Sequence, residues 1–358
     1  EAAFRDPFHL PVFYNPAMRF NRSISSLAAG CLIRMLDDSV FVDALCSLGA
    51  RGIRYAKENR LKKIHFVDAN PDAIKVLRKN VKLNKLKNAK IEESDLNKFF
   101  INSEEHFDFI EIDPFGSPVL FLQNAIRRLR KKAVLSVTAT DLANLAGARI
   151  DPCKKHYDAK PLRCEYSHEI ALRILVGKIA KELMLQDFGC LPLISFYKGH
   201  AIKSIVLAEK NAMKADESIK QLGYIMHCQK CLSRECSKRQ VEKCTNCGGK
   251  YDYAGEMWIG KLQDSEFLKC MEKHAEKSGC DEKLEISRLL GLLQKENDFA
   301  PSFRDMHLLS SKYKIKIRKM EDALERLKKA GFKAARTHYS STSIKTDAPI
   351  AKLVNILR

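Results

Sequence analysis

Phe107-Asp-Phe-Ile-Glu-Ile-Asp-Pro-Phe-Gly-Ser-Pro118 opens with six residues, 107–112, that are apolar, aromatic and β-branched in the pattern of a short buried strand. The strand runs into Asp113-Pro114-Phe115-Gly116. An acid at the carboxyl end of a strand, held by a proline and followed by an aromatic ring, sits where open α/β sheets bind ligands. The Asp113 carboxylate can accept a hydrogen bond from an amino group, and the Phe115 ring can stack on a flat base. The other reading is a plain strand-to-helix turn in which Asp113 caps a helix from about Val119.

Upstream, strands and helices alternate. A helix is expected over 23–36, then a strand over Val40-Phe-Val-Asp-Ala-Leu45 that enters Cys46-Ser-Leu-Gly49-Ala-Arg51-Gly52. Gly49 and Gly52 let the backbone approach a ligand at a helix N-terminus. Their spacing is not the G-x-G-x-x-G of a dinucleotide fold, so a nicotinamide cofactor is not expected. Asp43 precedes these glycines. The second strand, 63–68, ends in Asp68, placed to bind a ribose diol. The third, 89–94, ends in Asp95-Leu96, where a carboxylate can accept from an adenine amino group. Four acids at four strand ends, Asp43, Asp68, Asp95 and Asp113, point to a nucleoside-containing cofactor. S-adenosylmethionine suits them, with its reactive methyl directed toward Asp113. The N-terminal segment 1–21 is too aromatic for a loose tail and is expected to lie over the site, with Phe13 facing a base and Arg22 meeting a carboxylate.

Downstream, a helix is expected over 119–130, a fifth strand over 133–138, a loop over 144–162, a long helix over 166–185 and a hairpin of strands 190–197 and 201–208. Composition changes near Asn211. Cys228-x2-Cys231 and Cys244-x2-Cys247, twelve residues apart, form two knuckles that converge on a tetrahedral Zn²⁺; Cys236 is left over. The tail reads helix, helix, strand, in the manner of a winged helix, and residues 311–336 hold ten Lys/Arg against three Asp/Glu, a phosphate-contacting face.

The totals agree. A net charge of +19 implies a polyanionic partner, nucleic acid first. No apolar stretch approaches the ~18 residues of a membrane span, and no signal peptide is visible. Twelve cysteines in such a chain argue for a reduced cytosol and metal binding rather than disulfides. A cytoplasmic monomer is expected.

With these motifs in hand, the chain resembles the tRNA (guanine-26, N2) dimethyltransferases. The likeness runs through Val12-Phe-Tyr-Asn-Pro16, Asn21-Arg22, Gly49-Ala-Arg-Gly-Ile-Arg54, Asp113-Pro-Phe-Gly-Ser-Pro118, Thr138-Ala-Thr-Asp141, Pro161-Leu-Arg-Cys-Glu165, His168-Glu169, Leu222-Gly-Tyr-Ile225, Trp258-Ile-Gly260, Arg336-Thr-His338 and Ile344-Lys-Thr346. It implies an α/β fold: a class I (Rossmann-like) methyltransferase sheet in 1–222, and in 223–358 a C-terminal α+β tRNA-binding domain with a zinc-ribbon-like insert at 228–247 and a winged-helix-like tail. Carried onto matching positions, it places cofactor contacts at Arg22, Arg51, Asp68 and Asp95, and a base pocket at Phe13, Asp113 and Phe115. The chain departs from the family in Cys46-Ser-Leu-Gly49 and in Leu142-Ala-Asn-Leu-Ala-Gly147. The rivals are a non-enzymatic zinc-containing RNA-binding protein, against which the intact acids speak, and an aminomethyltransferase acting on another nucleic acid.

Overall fold

The computed structural model describes residues 12–33, 39–316 and 318–358. After α1 (Arg19–Ile33) the chain alternates β1 (Val40–Ala44), α2 (Ala50–Glu58), β2 (Lys63–Asp68), α3 (Pro71–Leu83), β3 (Ala89–Glu93), α4 (Leu96–Asn102), β4 (Phe107–Ile112), α5 (Val119–Ile126) and β5 (Leu129–Ala139). Then follow α6 (Leu142–Leu145), α7 (Ile150–Tyr157), α8 (Ser167–Met184) and the hairpin β6 (Phe188–Lys198) and β7 (Ala201–Lys210). The seven strands form one sheet in the order β3-β2-β1-β4-β5-β7-β6, parallel from β3 to β5 and antiparallel at β7 and β6. Winding proceeds outward from β1 to β3, then resumes on the other side of β1 with β4. The carboxyl ends of β1 and β4 therefore flank the switch point, where such sheets open a crevice.

All six residues of β4 are buried, as a strand covered on both faces requires. One face packs Ile110, Ile112 and Leu135 under α8 through Ile174 and Leu175. The other packs Phe41 and Phe109, stacked at 4.4 Å, with α1 through Leu32 and Ile24.

Several boundaries differ from the sequence expectations. β5 starts at Leu129 rather than near residue 133, because Arg-Lys-Lys in its first turns carries no strand pattern while the backbone already pairs Leu129 with Phe107. The expected loop 144–162 contains the end of α6 and all of α7, with Cys153 and Tyr157 of α7 buried. Residues 34–36 of the expected first helix, and 1–11 of the N-terminal segment, lie outside the described residues.

Beyond α9 (Ala212–Ile219) come β8 (Leu222–His227), β9 (Arg234–Ser237) and β10 (Asp252–Trp258), a three-stranded sheet in the order β10-β8-β9. Helices α10 (Ser265–Lys277) and α11 (Lys283–Glu296) follow, then β11 (Arg304–Asp305), α12 (Met306–Tyr313), α13 (Met320–Lys329), β12 (Ala334–Arg336), β13 (Ser343–Thr346) and α14 (Ile350–Leu357). The tail has the expected two helices and strand, plus β11, β13 and α14. The core does not stop at residue 222: Ile225, Ala254, Met257 and Trp258 join the cluster under α8, and Leu268, Met271 and Leu290 join the cluster over α1.

Contrary to the expectation that cysteines serve metal rather than disulfides, Cys31 of α1 and Cys270 of α10 are joined as a disulfide. The two helices pack side by side, with His274 Nδ1 3.2 Å from Cys31 Sγ, so residues 239 apart in sequence meet.

Gly177 sets how closely α8 lies on β10. A Cβ there would stand 2.9 Å from the Trp258 nitrogen and 3.0 Å from Met257 Cα, both backbone. Removing a helix glycine ordinarily gains about 1 kcal/mol. We expect Gly177→Ala to be net destabilising instead, overpacking costing roughly 1–3 kcal/mol. Urea unfolding checks this; a more stable variant would mean that the helix and strand can part without loss.

Candidate active site

Strand register decides which side chains meet. Asp43 of β1 lies opposite Glu111 of β4, and Thr138 of β5 opposite Lys203 of β7. Because side chains alternate, Asp43 and Glu111 share a face, and α2, starting directly after Gly49, drops Arg51 onto it. Arg51 Nη1 donates to Glu111 Oε1 at 2.5 Å and Nη2 donates to Asp113 Oδ2. Lys203, whose side chain is 0% exposed, donates to the same Glu111 oxygen at 2.5 Å and to Thr138 Oγ1 at 3.3 Å. Tyr55 donates its hydroxyl to Glu111 Oε2 at 2.7 Å, and the Gly52 N–H donates to Asp43 Oδ2 at 2.8 Å.

Burial pushes the Glu111 carboxyl up, but Lys203 and Arg51 outweigh it and hold the group at about 2. Burial works against the Arg51 charge; Asp113 and Glu111 overcome it and raise the guanidinium above its ordinary value. Burial also pushes Lys203 down, with Glu111 opposing. Asp43 is lifted to about 7 by burial, against the pull of Arg51.

The turn after β4 is tied to the end of β5. The Gly116 N–H donates to Thr140 Oγ1 at 2.7 Å, and the Thr140 N–H donates to the Gly116 carbonyl at 3.0 Å. Gly116 has φ +83°, a conformation that favours glycine. α5 starts at Val119 with Pro118 at its N-cap position and no side-chain cap. Asp113 is therefore not a helix cap; its Oδ2 is held by Arg51, and its Oδ1 has no protein partner among the described residues. Beside it, Phe115 is 61% exposed and meets the Phe13 ring edge-on, centroids 4.4 Å apart. The Phe13 carbonyl accepts from Ser47 Oγ at 2.7 Å, which ties the N-terminal arm to the glycine loop. Arg22 donates to the Asn15 carbonyl at 3.0 Å and to the Tyr14 hydroxyl at 3.3 Å. A cavity of about 770 Å³ lies alongside, between Tyr14, Arg22, Ala50 and Arg54 and the connection from α10 to α11.

The remaining sequence-predicted residues line the carboxyl edge of the sheet. Asp68 ends β2 and accepts from the Ser47 N–H at 2.7 Å and the Asn70 N–H at 2.9 Å. Gly49, at φ +81°, precedes α2, and a Cβ on Gly52 would stand 2.7 Å from Asp43 Oδ2, so the loop packs directly on β1. Asp95 is exposed and caps α4 through the Lys98 N–H at 3.0 Å, with Leu96 buried behind it. Arg51 is at this edge too, with both terminal nitrogens of its guanidinium engaged by Glu111 and Asp113. Sequence reasoning passed over Glu111, Lys203 and Tyr55. The signal was present: a Glu in Phe107–Ile112 and a Lys in Ala201–Ala208, charges inside strands that read as buried on both faces, demand partners.

The four predicted cysteines also meet. Cys228 directly follows β8, and all four sulfurs lie within 4.8 Å of one another, with Cys228–Cys247 and Cys231–Cys244 each at 3.6 Å. Two tight turns shape the knuckles, with Leu232 N–H to the Cys228 carbonyl at 2.7 Å and Gly248 N–H to the Cys244 carbonyl at 2.8 Å. Four sulfurs around a tetrahedral ion bonded at ~2.3 Å would lie about 3.8 Å apart, so the spacing fits Zn²⁺. Cys236, on β9, is not part of the cluster.

A parallel sheet of this order, with a glycine loop after β1, acids closing β2 and β3 and an antiparallel β7, defines a class I methyltransferase. The sequence profile described as N2,N2-dimethylguanosine tRNA methyltransferase matches residues 4–358, and the chain belongs to that family. Among curated relatives, a tRNA (guanine(26)-N(2))-dimethyltransferase of Pyrococcus abyssi is 36% identical over 365 residues, spanning 98% of this chain and 93% of that protein. One from Methanosphaera stadtmanae is 32% identical, spanning 97% and 90%. The solved structure of Trm1 from Pyrococcus horikoshii with S-adenosyl-L-methionine superposes with a TM-score of 0.88 at 34% identity, covering 97% of this chain and 95% of that one.

The Glu111 carboxyl, ordinarily at 4.5, is held at about 2 in the fold. A depressed carboxyl contributes stability that is fully present above its unfolded pKa and drains as pH falls through the folded one. Lowering the pH from about 5 to about 3 should therefore lower Tm, and Glu111→Gln, less stable at neutral pH, should flatten that fall. An unchanged slope by calorimetry would show that Glu111 titrates alike in both states.

Proposed function

We propose that this chain transfers one or two methyl groups from S-adenosylmethionine to the exocyclic N2 of guanosine 26 in tRNA. The observation that carries the reading is Asp113, a carboxylate at the switch-point crevice with Oδ2 clamped by Arg51, Oδ1 available and an exposed aromatic ring beside it. S-adenosylmethionine, when bound, supplies an electrophilic methyl group. Asp68 is assigned to its ribose and Asp95 with Leu96 to its adenine, while Arg22, Asp43, Gly49 and Arg51 shape the rest of that site. The carboxyl-edge acids and the close-packed glycine loop fit such a group.

The guanine amine is a poor nucleophile because its lone pair conjugates with the ring. Asp113 Oδ1 accepts a hydrogen bond from it, orients the lone pair and takes up the positive charge that develops, a service that is effective only if the carboxylate is placed beforehand. The target base must leave its stack, and Phe13 and Phe115 offset part of that cost by stacking. Residues 1–222 are assigned to catalysis and 223–358 to tRNA binding, with one Zn²⁺ held by Cys228, Cys231, Cys244 and Cys247 stabilising the latter. A cytoplasmic monomer is the expected form; no described helix is long and apolar enough to cross a membrane.

Three measurements test this. In single-turnover methyl transfer with both ligands saturating, Asp113→Asn should slow the reaction by on the order of 10²-fold or more, with S-adenosylmethionine affinity nearly unchanged; Asp68→Ala should do the reverse, weakening that affinity by about 1.5–3 kcal/mol. A near-wild-type rate for Asp113→Asn would refute the assignment.

Elemental analysis of protein purified without chelator should return one zinc per chain, and Cys228→Ser should lose it. Metal-free wild-type protein would remove zinc from the account.

Binding of tRNA should weaken steeply with salt, and reversing Lys328 and Lys329 to Glu should weaken it further while sparing S-adenosylmethionine. If both ligands lose affinity equally, the basic face is misassigned.

A further inference from the structure

We propose that Lys203 and Glu111 are positioning residues for methyl transfer: they set how Arg51 is shared between Glu111 and Asp113, and so hold Asp113 with one oxygen turned to the crevice. The inference rests on the reading of Asp113 as the acceptor for the guanine amine.

Arg51 is shared between two acids. Its Nη1 goes to Glu111 and its Nη2 to Asp113. Facing Asp113 alone, it would bind that carboxylate as tightly as a buried ion pair allows and make it a poor acceptor. Facing Glu111 without Lys203, it would be drawn off Asp113 to neutralise an acid with no other cation in contact. Lys203 prevents the second outcome by binding the same Glu111 oxygen, and Tyr55 satisfies the other. A purely structural role is the competing explanation, but buried ion pairs seldom stabilise a fold more than apolar side chains of the same shape would. Here two fully buried charges, 92 residues apart in sequence, converge one residue from the turn that carries Asp113.

Arg51 from α2 binds Asp113 directly; Lys203 from β7, Asp43 from β1 and Arg22 from α1 act on it by charge, and Glu111 of its own strand, held by Tyr55 of α2, acts through the shared Arg51. Among these, removing a cation and removing an anion have opposite consequences for Asp113. Lys203→Met deletes a positive charge and should move the acid limb of the single-turnover rate profile to higher pH by about half a unit or more. Glu111→Gln deletes a negative charge and should move the same limb to lower pH by a similar amount. Both should slow transfer roughly tenfold or more with KM for tRNA and S-adenosylmethionine little changed, as expected where only the transition state loses an interaction.

Damage to the fold would not shift the limb in opposite directions. Limbs that stay put, or that move the same way, while Asp113→Asn still abolishes transfer, would overturn this role and leave the Asp113 assignment standing. A near-normal Asp113→Asn would instead refute the assignment itself. Should either charge variant fail to fold, Tyr55→Phe decides. It keeps shape and net charge but frees one Glu111 oxygen, so it should give a smaller shift in the Lys203→Met direction; an unmoved limb would overturn the proposal.

Discussion

Arg51 sits 7% exposed between two acids, and the crevice is built on that fact. A guanidinium taken out of water loses hydration that only well-placed anions restore. The anions come from β4 and the turn after it, and the second cation that balances them comes from β7. Removing any one partner leaves a buried charge uncompensated, which is far costlier than the intact cluster. The side chains that aim Asp113 are thus fixed jointly by the sheet, the first turn of α2 and the antiparallel strand that closes the fold. That strand, inserted between β5 and β6, gives the site a cation that none of the parallel strands supplies.

The same logic ties the two halves of the chain together. Glu169 of α8, fully buried and held at about 2 by Lys345 and Arg173 against the cost of burial, accepts from the Lys345 ammonium at 2.8 Å on both oxygens. Arg173 donates onward to the carbonyls of Trp258 at 3.2 Å and Gly260 at 2.9 Å. Further out, Glu296 of α11 accepts from Thr337 at 2.6 Å and from His338, whose Nε2 accepts the Tyr197 N–H of β6 at 3.1 Å. Tail, second sheet and catalytic sheet are thereby locked through paired charges, not only apolar contact. A partner gripped by the basic tail would meet the crevice at a fixed distance.

Much of this was legible in the sequence. The βα alternation, the strand-end acids, the glycine loop and the two cysteine knuckles are local patterns, each dictated by a period or a spacing. What was hidden is non-local. The buried strand Ala201–Ala208 says that Lys203 needs a partner but not that the partner is Glu111, because the register of β5 with β7 decides it. Cys31 and Cys270 meet because α1 and α10 pack, a contact that no spacing reveals. The charges of Arg-Lys-Lys hid the start of β5, and the polar surface of α7 hid a helix inside an expected loop. Asp113 could be read as a cap or as an acceptor from the turn alone; α5, starting at Val119 with Pro118 at its N-cap position and no side-chain cap, removes the first reading.

The glycine loop adds one more constraint. Leu45 at φ +61°, Ser47 at φ +49° and Gly49 at φ +81° place three left-handed residues in alternation, two of them with side chains that disfavour it. Such strain persists only where surrounding contacts over-determine it, and Ser47 shows which contacts those are. Its N–H donates to Asp68 and its hydroxyl to the Phe13 carbonyl, each at 2.7 Å. One strained residue therefore joins the acid assigned to the cofactor ribose with the arm whose ring meets Phe115. The glycine loop and the N-terminal arm thus share one wall of the crevice, so a shift of the loop bears on the Phe13–Phe115 pair.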